Sequence, residues 1–122
     1  MIIMGSLLNV TCNSDAEIVK CFGIRGSTGN NVAKVGDIVV VAVRKVKPNS
    51  KIKKGDKQYA VIVRTKGKIK RDDGSYLCFS DNAVVLVDPK THEPIATRVL
   101  GPVAREIKKD FPKIASLASE VL

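Results

Sequence analysis

Short runs of β-branched and apolar residues, each closed by Gly, Asp, Asn or Pro, organise this chain of 122 residues: 7–10, 17–24, 37–43, 59–63, 68–71, 76–79, 83–87 and 95–100. Runs of that length, separated by turn residues, predict a compact antiparallel barrel or sandwich. The segments 37–43 and 59–63 are nearly all apolar, the pattern of strands covered on both sides. In 17–24, Ile18 and Lys20 break strict alternation and leave its faces open. Gly36-Asp37 and Gly55-Asp56 stand just before the two most apolar runs, where Gly reaches positive φ and Asp bonds local amides; both read as turns into strands. Asp73-Gly74, between 68–71 and 76–79, is favoured hairpin chemistry. That hairpin has a basic incoming arm and an apolar outgoing one.

After Gly101 the pattern changes. Pro102 suits a first helical turn, with Val103, Glu106, Ile107 and Asp110 on a short helix that Phe111-Pro112 ends. Ile114, Leu117, Ala118 and Val121 then fall at helical spacing, a second short helix whose apolar stripe packs on the barrel or meets a partner. The longest purely apolar run, 38–43, is far too short for a membrane span. The first eight residues are apolar but uncharged and too short for a signal segment, and no Arg-rich transit peptide is visible. The length suits one domain, 1–122.

Formal charge is +9. Taken alone, that sign allows nucleic acid, anionic membrane or acidic protein as partner. Its distribution is more specific: from Arg44 to Arg71 there are twelve Lys or Arg and one acid, Asp56, while the rest of the chain has nine basic and eleven acidic residues. A solvated face usually mixes signs; a polycation this concentrated releases counterions on meeting phosphates. Candidate RNA-binding residues are therefore Arg44, Lys45, Lys47, Lys51, Lys53, Lys54, Arg64, Lys66, Lys68, Lys70 and Arg71. Five aromatics and no Trp are present, and Tyr59 and Phe79 sit in strand patterns that suit core packing. That favours phosphate and sugar contacts over a base-stacking single-strand reader.

No catalytic constellation is visible: there is no phosphate loop, and the single His92 lies between Pro89 and Pro94 in a loop. Asp37 and Asp56 as a hydrolytic pair are outweighed by their reading as turn residues. Cys12, Cys21 and Cys78 are odd in number and lack CxxC spacing, which points to a reducing compartment and no zinc or other metal. Cys78 alternates with apolar neighbours and reads as a small core residue.

Ala60-Val61-Ile62-Val63, nine further residues, Asp73-Gly74, then Phe79, Asn82 and Val85-Leu86 resemble the signature of the L14 family of ribosomal proteins, bacterial or organellar type. The likeness extends from Leu8-Asn9-Val10 through Lys53-Lys54-Gly55-Asp56, Thr97-Arg98 and Gly101-Pro102-Val103 to Glu120-Val121-Leu122. It implies a mainly β fold, a small five-stranded antiparallel barrel with a projecting β-ribbon and two short C-terminal helices. It further implies a structural, non-enzymatic role without cofactors: binding large-subunit rRNA, contacting ribosomal proteins L19 and L3, and meeting small-subunit rRNA at intersubunit bridges. Thr97, Arg98 and Lys113 match positions of the bridge face, on which a ribosome-silencing factor docks in the bacterial branch. Asp15 stands where the family usually has Gly, Cys12 where it has an acid, and Glu17, Asn30 and Asn31 where it has bases, so the family's N-terminal RNA contacts are not carried over. Such drift suits an organelle-encoded copy, in a mitochondrion or plastid, or the cytoplasm of an unusual bacterium. A free RNA chaperone or translation factor on a barrel fold is the alternative from another class.

Overall fold

The computed structural model describes residues 2–3, 5–11, 16–24, 32–48, 54–88, 90–91, 93–95 and 98–122. Five strands, β2 (Leu7–Val10), β3 (Ala16–Ile24), β5 (Ile38–Val46), β6 (Lys57–Arg64) and β9 (Ala83–Val87), close into a barrel in the order β2-β3-β5-β6-β9. Four neighbouring pairs are antiparallel, and the barrel closes through a parallel pair, Asn9 opposite Ala83 and Val10 opposite Val84. Closure leaves no unpaired edge in these strands. Outside the barrel, β1 (Ile2–Ile3) pairs with β4 (Val32–Ala33), and β7 (Ile69–Lys70) with β8 (Tyr76–Leu77).

The irregular face of 17–24 has a local cause. Ala16, Val19 and Cys21 point into the core, a step of three and then of two, because the pairing of β3 with β5 shifts register between Ala16 and Val19. A bulge of this kind adds a residue and bends the strand, as barrel closure requires. The expectation that 37–43 is covered on both sides is corrected: β5 buries Val39, Val41 and Val43 and leaves Ile38, Val40 and Ala42 half-covered. The doubly covered strands are β6, from Ala60 to Val63, and β9 along its whole length. Gly36 and Gly55 have φ of 92° and 93° and turn the chain into β5 and β6 as their sequence context predicts. The Lys34 amide donates to the Asp37 carboxylate at 2.8 Å, so Asp37 serves its own turn.

The C-terminal part differs most from its prediction. Pro102 and Val103 belong to strand β10 (Val99–Val103), not to a helix, and the helices are α1 (Ile107–Asp110) and α2 (Pro112–Leu117). Phe111 separates them at φ −133°, as the Phe-Pro pair predicts. From Ala118 the chain is extended, and β11 (Ala118–Val121) pairs in parallel with β10, Val103 opposite Val121. Helices of four and six residues have little stability of their own, so tertiary pairing overrides helical spacing here. The predicted stripe is split accordingly: Ile114 is fully buried, Leu117 and Ala118 pack partly on the core, and Val121 is exposed. Cys78 is also corrected: it is exposed, because the strand pairing of β8 ends at Leu77, while Cys21 is the thiol in the core. Burial pushes the Cys21 thiol upward against a weak hydrogen bond to the Gly23 carbonyl.

Candidate nucleic-acid interface

The basic segment passes through the barrel and emerges at both of its ends. Arg44, Lys45 and Lys47 lie at the end of β5, and Lys54 and Lys57 lie where β6 begins, with Lys57 opposite Ala42. Lys66, Lys68 and Lys70 follow the other end of β6. Eight residues of strand separate the two groups by about 23 Å. One run of charge in the sequence is thus two patches in space.

Burial divides the cations a second time. Arg64 is 13% exposed; its guanidinium donates to Asp81 at 3.2 Å and to the Thr11 hydroxyl at 3.1 Å, and Thr11 in turn donates to the Leu100 carbonyl. These bonds tie the ends of β2 and β6 to β10. Gly101 is required for it twice over, by a φ of 80° and because a Cβ there would stand 2.4 Å from Arg64 Nη1. Arg71 is 15% exposed and forks onto Glu106, 2.9 Å from Nε to one oxygen and 3.4 Å from Nη2 to the other, with a further bond to the Leu122 carbonyl. Burial raises the Glu106 carboxyl, but the hydrogen bonds and charge of Arg71 outweigh it and hold the group below its ordinary range. Both arginines work inside the fold.

The other basic residues of the segment face water. Arg44, Lys47, Lys54, Lys57, Lys66, Lys68 and Lys70 are exposed and have no carboxylate partner among the described residues. Lys45 is exposed and pairs loosely with Glu17 at 3.6 Å, a contact that a phosphate can replace at little cost. Lys51 and Lys53 lie outside the described residues.

The hairpin of β7 and β8 is built to hold its shape. Its strands are joined by a type I turn, Gly74 N–H to Arg71 carbonyl at 3.0 Å, followed by Gly74 at φ 86° and closed by the Arg71 amide on the Ser75 carbonyl at 3.0 Å. This is the three-residue hairpin loop with glycine at the positive-φ position. Asp73 accepts from the Ser75 hydroxyl and amide, which lowers its carboxyl. Lys70 and Tyr76 are directly opposite across the ladder, and the Lys68 ammonium lies 5.8 Å from the centre of the Tyr76 ring.

Beside the hairpin, Lys34 joins Lys68 and Lys70 around a cavity of about 440 Å³ with Val35, Thr65 and Gly67 among its walls. Sequence reading missed Lys34, which stands ten residues before the basic run and reaches the hairpin because β5 starts at the end of the barrel where β6 stops. Arg105, between β10 and α1, was missed as well; with Lys70 and Arg71 it lines a second cavity of about 410 Å³ that also has Glu106 in its wall.

Away from both patches, Lys113 on α2 pairs with Glu93 and fastens the 93–95 segment to the helix, while Arg98 is exposed at the approach to β10. Thr97 and His92 lie outside the described residues. A smaller hollow, about 260 Å³, runs along Phe111, Pro112 and Lys113.

A barrel that carries fixed cations at both ends, with a stiff cationic hairpin beside one of them, presents its charge as a shape and not as a tail. The family model of ribosomal protein L14p/L23e matches residues 1–122, and the chain belongs to that family of structural, rRNA-binding proteins of the large ribosomal subunit.

Proposed function

We propose that the chain is held on large-subunit rRNA by two separate phosphate-binding patches, Arg44, Lys45, Lys47 and Lys54 at one end of the barrel and Lys66, Lys68 and Lys70 with Lys34 at the other; Lys51 and Lys53, outside the described residues, are further phosphate contacts by their place in the basic run. The observation that carries this reading is the burial pattern: lysines exposed at both ends of β6 and, Lys45 aside, without carboxylate partners among the described residues, with Arg64 and Arg71 turned inward. Phosphate contacts from such patches set affinity and register, and specificity comes from the shape of the folded RNA. Arg64 and Arg71 contribute by holding the barrel end and the hairpin in place.

On the same reading, Thr97, Arg98 and Lys113 form the face toward small-subunit rRNA at the intersubunit bridges, with a ribosome-silencing factor as a competing occupant. Ribosomal proteins L19 and L3 are the protein neighbours, in a bacterial cytoplasm or an organelle. The exposure of Arg98 and Lys113, away from both cationic patches, supports this division of surfaces. The test is a sucrose gradient of cells expressing Lys68→Glu/Lys70→Glu or Arg44→Glu/Lys47→Glu. Each double variant should leave the large-subunit peak for the top of the gradient; a variant that stays with the subunit through a moderate salt wash removes its patch from the proposal. Arg98→Glu/Lys113→Glu should keep its place in the large subunit and reduce joining to the small one.

A further inference from the structure

Tyr76 is the most exposed large apolar or aromatic side chain of the described residues, 61% accessible, on a hairpin whose neighbouring side chains are cationic. A single exposed ring is ordinary on a protein surface, so what distinguishes Tyr76 is its neighbours. Its setting is specific. Lys70 is its cross-strand partner, Lys68 stands 5.8 Å from the ring centre, within cation–π range, and both lysines line the 440 Å³ cavity at the foot of the hairpin. The turn at Gly74 and the fork of Arg71 on Glu106 fix the hairpin, so the backbone that carries the ring is in place before binding.

We propose that Tyr76 is a stacking platform for one unpaired base of the rRNA, with the phosphates on either side of that base held by Lys68 and Lys70. The reading rests on the proposed role of the hairpin patch in RNA binding and adds base contact to it. Lys68 sits over the ring, which leaves the opposite face for a nucleobase; every base offers a π-face, so the contact requires a single-stranded or bulged nucleotide and not a particular sequence. A duplex keeps its bases stacked inside and can offer the same lysines only its phosphates.

The chain has two tyrosines and no tryptophan, so in a Tyr59→Phe background Tyr76 is the sole source of tyrosine emission. The full chain is titrated at low salt with a twelve-nucleotide oligo(A) and, separately, with a twelve-base-pair RNA duplex, following tyrosine emission and the anisotropy of labelled RNA. Oligo(A) should quench Tyr76 and the duplex should not. Tyr76→Leu, which keeps apolar bulk without a π-face, should weaken oligo(A) binding about tenfold and leave duplex binding within about twofold, and Tyr76→Phe should restore the oligo(A) affinity. Unchanged affinity of Tyr76→Leu for oligo(A), or an equal loss on both RNAs, overturns the stacking site while the phosphate patches stand. Failure of the parent chain to bind either RNA overturns the hairpin patch as an RNA site, and the platform with it.

Discussion

Arg64 and Lys68 are four residues apart, carry the same charge and belong to one basic run, yet they sit in regions with opposite physics. Around Arg64 the guanidinium is almost enclosed, Nη2 donates to Asp81 and Thr11 while the buried Nε has no partner among the described residues, and Gly101 leaves the space it occupies. Around Lys68 the ammonium is exposed, has no carboxylate partner among the described residues and lies 5.8 Å from the centre of the open ring of Tyr76. Removing a charge from the first region should destabilise the fold, and removing one from the second should weaken the hold on RNA. Net charge cannot distinguish these outcomes; burial does.

The largest effect that would break this comparison is on Arg64. Arg64→Ala removes the donor to Thr11, leaves Asp81 only the long bond from Asn9 and should cost about 3 kcal/mol in urea unfolding; a loss below about 1 kcal/mol would make Arg64 a surface cation after all. Gly101→Ala forces a Cβ against that guanidinium at positive φ and should cost about 2 kcal/mol, measured in the same way. In the exposed region, Lys68→Gln/Lys70→Gln should leave the unfolding midpoint within about 0.5 kcal/mol of the parent. The same pair should make the slope of log affinity against log salt shallower by about 1.5, two phosphate contacts fewer. Stability lost together with the slope would merge the two regions into one.

Arg71 lies between the extremes, at the turn of the hairpin. Because its fork holds the Glu106 carboxyl below the ordinary value of about 4.3, the pair stabilises the native state above that pH and ceases to do so as pH falls through the lowered value. The difference in unfolding free energy between the parent chain and Glu106→Gln should therefore be constant near neutrality, begin to shrink as pH falls through the ordinary value of about 4.3 and vanish below the lowered one. A difference that grows on acidification would contradict the direction of the shift. The smallest effect belongs to Lys45→Ala, whose open contact with Glu17 should be worth less than about 0.5 kcal/mol by thermal unfolding.

How much of this is legible in the sequence depends on whether the cause is local. Strands 7–10 and 83–87 are found at their predicted bounds, and the turns at Gly36, Gly55 and Asp73-Gly74 form where backbone chemistry places them. Local patterns failed where a distant partner competes. Val103 and Val121 carry helical spacing but pair with each other as parallel strands, and Cys78, apolar by its neighbours, stands in solvent beyond the end of β8. The site was legible as a composition: all the excess charge lies between Arg44 and Arg71. Its geometry was not, since neither Lys34 at the hairpin cavity nor the inward turn of Arg64 leaves a trace in charge spacing.

By itself, then, the sequence determined the strand-rich character, the turn positions and the concentration of positive charge, because apolar alternation, glycine φ and ionisation are properties of residues and their immediate neighbours. Only the tertiary structure decided which cations are exposed and which are turned inward, that the exposed ones form two patches some 23 Å apart along β6, and that Tyr76 stands open beside lysines. Those are outcomes of closing a barrel, which brings the ends of distant strands together and sets the solvent exposure on which the strength of every charge depends.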